Sequence, residues 1–122
     1  MNPSEAKAEL GEALFLDVRE PYEWDSGHLE GSLHIPIGQI AERVDELDSS
    51  RKVVVVCQVG QRSELVANWL SEQGFDAHNL EGGLVAWMGA GLPLVSSTDD
   101  GGQVIDGWAR DLSGNTLDPD SG

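Results

Sequence analysis

The chain has 122 residues, 39% of them hydrophobic, which is enough for one core and hardly for two. Twenty-two acidic residues oppose seven basic ones, and the net charge of −15 sets the surface against nucleic acid and anionic membranes as partners. A single cysteine excludes an intrachain disulfide framework and suits a reducing compartment, and without paired-cysteine spacing no metal site is legible.

The charge itself has two readings: a solvated surface that keeps the protein in solution, or an acidic face for a basic partner. No apolar run approaches the length of a membrane span. Residues 1–5 have neither the basic region nor the apolar stretch of a signal peptide, so the expected location is the cytoplasm.

Residues 4–10 predict a short helix capped by Ser4 and stopped at Gly11. The apolar run 13–16, ending at Asp17, predicts a buried strand. Residues 20–25 predict a helical turn with Pro21 at its start and Gly27 closing it. A second short strand covers 32–35 and ends at Pro36. Ile37, Ile40, Val44 and Leu47 then recur at helical spacing between charged residues, which predicts an amphipathic helix running to 48–50. Residues 52–56 carry four consecutive valines, a β-branched run suited to a strand buried on both faces.

Residues 63–73 predict a helix with Leu65, Val66, Trp69 and Leu70 on its inner face and Gly74 as its stop. A strand over 77–80, a turn at Gly82-Gly83 and a helix over 84–88 complete the pattern. Strand and helix alternate throughout, which predicts an α/β domain built on a parallel sheet with helices on both faces. No internal repeat is present, so residues 4–94 are read as one domain. Residues 95–122 turn polar and acidic. They read either as disorder or as a segment that docks through Val104, Ile105, Trp108 and Leu112 on the domain or on a partner.

Cys57 follows the valines directly and opens the segment Cys57-Gln58-Val59-Gly60-Gln61-Arg62-Ser63, with helix-forming sequence behind it. A thiol at the C-terminal end of a buried strand, cupped by a glycine-containing loop and aimed at a helix N-terminus, is placed to ionise. Backbone N–H groups and the positive end of the helix dipole favour the thiolate there. The competing reading is packing, because free cysteine is among the most buried residue types. Trp24, Trp69 and Trp87 read as core or rim packing. Glu64 favours the helix N-terminus but opposes ionisation of the nearby thiol.

In chain order, Asp17-Val18-Arg19-Glu20, Glu23-Trp24, Gly27-His28-Leu29-Glu30-Gly31-Ser32, His34-Ile35-Pro36, the cysteine loop, and Glu81-Gly82-Gly83 followed by Trp87 resemble the rhodanese domain of the sulfurtransferases. The resemblance spans about residues 4–94 and leaves out the tail. It implies a rhodanese-like α/β fold with the active-site loop at the C-terminal edge of a central parallel sheet. It also implies that Cys57 takes a sulfane sulfur from thiosulfate or a persulfide and hands it to cyanide or a thiol. On this resemblance the backbone N–H groups of Gln58, Val59, Gly60, Gln61 and Arg62 bind the transferred sulfur. Asp17 and Arg19 support the loop as an ion pair, and His28 hydrogen-bonds the backbone of its own loop. No cofactor is implied. The implied partners are small sulfur donors and acceptors, or a protein that bears a persulfide.

Phosphatases and arsenate reductases on the same scaffold resemble a loop one residue longer, wide enough for a tetrahedral oxyanion. Here four residues separate Cys57 from Arg62, and the shorter cup suits a single sulfur. Many family members carry arginine directly after the cysteine, where this chain has Gln58. The cup then retains Arg62, with Arg19 as a candidate second cation, and thiosulfate is expected to be a poor donor. The rival expectation is a sulfur-carrier or protein-docking module without turnover. A redox role for Cys57 is disfavoured by the lack of a resolving cysteine in the chain.

Overall fold

A computed structural model describes residues 1–95, so the acidic tail and its apolar residues Val104, Ile105, Trp108 and Leu112 lie outside the described residues. In chain order the elements are α1 (Pro3–Ala8), β1 (Leu14–Asp17), α2 (Pro21–Ser26), β2 (Leu33–His34), α3 (Ile40–Arg43), β3 (Val53–Val56), α4 (Gln61–Glu72), β4 (Ala77–Asn79) and α5 (Gly83–Gly89). They group into two compact units, one of Met1–Glu20 and Gly31–Leu92, the other including Pro21–Glu30 and, among the described residues, 93–95.

The first unit is built on a four-stranded sheet in the order β2-β1-β3-β4, with every neighbouring pair parallel. β3 lies inside the sheet, and its four valines are at most 1% exposed, as a β-branched run covered on both faces requires. Side chains alternate across a strand. Leu16, Val53, Val55 and Cys57 therefore share one face, where they pack with Ile40 of α3 and with Val66, Ala67 and Leu70 of α4. Phe15, Val54 and Val56 point the other way and are buried too, as are Ala6 of α1 and Leu84 and Trp87 of α5.

The strand order also locates the site. From β1 the chain moves outward to β2, then returns to place β3 on the opposite side of β1. The connections leaving the C-terminal ends of β1 and β3 thus diverge, the arrangement at which open parallel sheets place their ligands. Asp17 pairs with Val56 across these two strands, so Val18 and Cys57, and after them Arg19 and Gln58, leave the sheet side by side.

Three helices differ from the sequence expectation. α4 starts at Gln61 instead of Ser63, and Leu65, expected on its inner face, is 67% exposed. α1 is capped by Asn2, two residues before Ser4, and runs over Pro3–Ala8. The Asn2 side chain accepts from the Glu5 N–H at 2.8 Å, and the Glu5 carboxylate accepts from the Asn2 N–H at 2.9 Å. The expected amphipathic helix from Ile37 to Leu47 is broken. Only α3 is α-helical, flanked by 3-10 turns at Ile37–Gln39 and Val44–Glu46. The apolar residues still meet the core. The three-residue steps from Ile37 to Ile40 and from Val44 to Leu47 fit a 3-10 turn as well as an α-helix, so hydrophobic spacing does not distinguish them.

In the described part of the second unit, the rings of Trp24 on α2 and His28 stack with centroids 3.6 Å apart and planes 3° from parallel. His28 Nδ1 lies 2.9 Å from the Trp24 carbonyl oxygen. The His28 main chain exchanges both hydrogen bonds with Val95, at 2.7 and 2.8 Å.

Candidate active site

Cys57 is the first residue beyond β3, and its side chain is fully buried. The loop behind it turns at Gly60, which caps α4 with φ +99°, a left-handed conformation that glycine adopts without strain. This turn folds the start of α4 back over the sulfur. The Gly60 N–H donates to Cys57 Sγ at 3.0 Å, the Ser63 N–H at 3.4 Å and the Ser63 hydroxyl at 3.2 Å. Burial pushes the thiol pKa up, but the hydroxyl and N–H of Ser63 and the N–H groups of Gly60 and Val59 outweigh it, and Cys57 ionises below its ordinary range.

The second glycine turn holds the cup from behind. The Leu84 N–H donates to the Cys57 carbonyl at 2.9 Å and the Val85 N–H to the Gln58 carbonyl at 3.1 Å. Gly83 approaches so closely that a Cβ there would meet the Gln58 carbonyl oxygen at 2.5 Å and the Cys57 carbonyl oxygen at 2.6 Å. Position 83 therefore admits only glycine unless the cysteine loop moves.

Asp17 and Arg19 form a buried pair beside this loop. Arg19 Nε lies 3.0 and 3.1 Å from the two carboxylate oxygens of Asp17, and Nη2 lies 2.9 Å from Oδ2. Arg19 Nη1 reaches across to the Gln58 side-chain oxygen at 3.2 Å. His34 Nε2 lies 2.8 Å from the Arg19 carbonyl oxygen. Arg19 is only 2% exposed and its charge is matched by Asp17, so it does not serve the cup as a second cation. The arginine instead links the end of β1 to the cysteine loop.

Gln58 and Arg62 are half-buried, Val59 and Gln61 are exposed, and Gly60 is buried. His28 belongs to the second unit, stacked on Trp24 as described above. Sequence reasoning missed Ser63 and Asn79. Ser63 occupies the third position of α4, and its hydroxyl lies within hydrogen-bond reach of both Cys57 Sγ and the Asn79 side-chain oxygen. A hydroxyl in the first turn of the helix after the cysteine was the available signal. For Asn79 the signal was a polar amide at the end of a strand. Among the described residues no cluster of three His, Cys, Asp or Glu side chains is arranged to hold a metal, and no helix is long and apolar enough to cross a membrane.

A parallel α/β sheet thus delivers one cysteine into a set of backbone and hydroxyl donors at a strand–helix junction. The model of the rhodanese-like domain matches residues 2–90, and the chain belongs to that family. It is 42% identical over 88 residues to the Bacillus subtilis protein named "Putative sulfurtransferase YtwF", covering 71% of this chain and 85% of that protein. It is 36% identical over 85 residues to "Putative sulfur carrier protein YrkF" of the same organism, covering 68% of this chain and 46% of that protein. The crystal structure of a rhodanese-related protein from Thermoplasma volcanium superposes with a TM-score of 0.75 at 33% identity, covering 78% of this chain and 95% of that one.

Proposed function

We propose that the protein is a sulfurtransferase that carries a sulfane sulfur as a persulfide on Cys57. The observation that supports this most strongly is the set of donors from Val59, Gly60 and Ser63 that converge on the Cys57 sulfur. They favour the thiolate before reaction and have the polarity to hold an anionic outer sulfur after it. The Cys57 thiolate attacks the sulfane sulfur of the donor, forming one S–S bond as the donor's own bond to that sulfur breaks. The departing electron pair leaves on sulfite or on the donor thiolate. The acceptor, cyanide or a thiolate, then attacks the outer sulfur, and the Cys57 thiolate is regenerated. No external oxidant, metal or cofactor enters either step.

The surroundings of the cup favour a persulfide on a protein or a low-molecular-weight thiol over the dianion thiosulfate. Arg19 is neutralised by Asp17, Gln58 carries no charge, and the molecule bears a net charge of −15. Val59 on the loop and Val85, hydrogen-bonded to that loop, are 52% and 50% exposed and give the cup an apolar rim. Steady-state kinetics with the two donor classes test this reading. A persulfide donor is expected to give the higher kcat/KM, whereas a low thiosulfate KM that is insensitive to salt would overturn the donor preference. The cytoplasm, reducing enough to keep a lone thiol free, is the compartment this chemistry suits.

A second reading, a sulfur carrier without turnover, is favoured by the name of one relative, "Putative sulfur carrier protein YrkF" of Bacillus subtilis. Stable loading of Cys57 without release to cyanide or thiols would select it.

A further inference from the structure

The Ser63 hydroxyl has one proton and two acceptors: Cys57 Sγ at 3.2 Å on one side and the Asn79 side-chain oxygen on the other. It cannot donate to both at once. A neutral Cys57 thiol has an S–H that can donate to Ser63 Oγ, which leaves the hydroxyl proton for Asn79. Once the sulfur is anionic it needs the hydroxyl proton itself. Ser63 then turns a lone pair toward Asn79, and an amide that presented its oxygen would face another oxygen at hydrogen-bond distance. An asparagine resolves this by turning its side chain to present Nδ2–H. The main chain of Asn79 is held in the sheet opposite Val55, with its carbonyl 3.1 Å from the Met1 ammonium, so the side-chain amide is the part that turns.

We infer that Asn79 is a positioning residue for Cys57, whose amide, by turning between its two faces, directs the one proton of Ser63 either to β4 or to the sulfur. The inference rests on Cys57 being the reactive sulfur. It assigns a role to the end of β4 that the cysteine loop does not contain, and it gives the fully buried Ser63 a second partner with both donor and acceptor capacity. The other charged or titratable groups on and beside the packed elements are Arg62, Glu64 and Glu72 on α4, His78 on β4 with its partner Asp76, the Asp17–Arg19 pair at the end of β1, and beyond β4 Glu81 with the Met1 ammonium. None of them is altered by substitution at position 79.

The test is the pH profile of Cys57 ionisation in the full chain without any sulfur donor, read by thiolate absorbance and by the rate of alkylation with iodoacetamide. Asn79→Asp accepts hydrogen bonds only, so it keeps the Ser63 proton. It is expected to slow alkylation at neutral pH about three- to tenfold and to move the profile to higher pH. Asn79→Ala leaves the sulfur as the acceptor of that proton and is expected to match or exceed the unsubstituted rate. In a Ser63→Ala background the Asp substitution is expected to lose most of its effect. An equal effect of Asn79→Asp with and without the Ser63 hydroxyl would reduce it to simple charge repulsion and overturn the proposal. An equal slowing by Ala and Asp would do the same. Because no sulfur is transferred in this measurement, failure of the sulfurtransferase reading leaves its outcome intact, and the two are told apart.

Discussion

Arg19 Nη1 donates to the Gln58 side-chain oxygen across 3.2 Å, tying the end of β1 to the second residue of the cysteine loop. The same guanidinium is gripped by Asp17, so it orients Gln58 without adding net charge to the cup. Gln58→Arg would add that charge. The thiosulfate KM is expected to fall about three- to tenfold at low ionic strength and to lose the gain as salt rises. Initial-rate kinetics across a salt series check this, and an unchanged KM would count against charge as the barrier to thiosulfate.

Arg19→Ala leaves the Asp17 carboxylate, itself 1% exposed, without its guanidinium. Breaking a buried pair from one side costs about 3–5 kcal/mol, more than an exposed pair would. A urea melt of the variant is expected to show a loss of that size. By contrast, Arg43→Ala, which breaks the more exposed pair with Glu46, is expected to leave the midpoint nearly unchanged.

Gly83 combines φ +63° with a backbone contact that leaves no room for a side chain. Gly83→Ala is expected to displace the Cys57–Gln58 carbonyls, destabilise the protein by about 1–3 kcal/mol and abolish most sulfur transfer. Gly89, at the end of α5, has open space where a Cβ would lie and serves as the control. Gly89→Ala is expected to preserve activity in the same assay.

Ser63→Ala removes one of the donors that lower the Cys57 pKa, so the alkylation profile is expected to move to higher pH. The linkage has a definite sign. A thiol whose folded pKa is depressed adds stability above its unfolded pKa and loses it as pH falls through the folded value. Between those two values, denaturation midpoints of the unsubstituted protein are expected to rise with pH. The rise is expected to be smaller in Ser63→Ala. Identical pH dependence in the two proteins would contradict the role given to the hydroxyl.

The four valines of β3 and the alternation of strand and helix made the parallel sheet legible, because burial on both faces leaves a composition that nothing else in the chain shares. Cys57 was legible for the same reason: it stands where that strand must end. Three features were not. The broken helix from Ile37 to Leu47 was hidden because a three-residue step fits two kinds of turn. The neutralisation of Arg19 depends on how its side chain meets Asp17 two residues earlier, which the residue types allow but do not dictate. Ser63 and Asn79 lie 16 positions apart and meet only because β4 runs beside β3 with α4 packed over both. Such a meeting is a property of the tertiary fold.

Whether Cys57 carries sulfur is read by mass spectrometry of the protein before and after loading. The reduced chain is incubated with thiosulfate or a low-molecular-weight persulfide. One portion is digested to assign the site, and the rest is treated with cyanide. One added sulfur on Cys57, released as thiocyanate over many turnovers and absent in Cys57→Ser, is the predicted result. A chain that takes up no sulfur at Cys57, or thiocyanate release that survives Cys57→Ser, would contradict it.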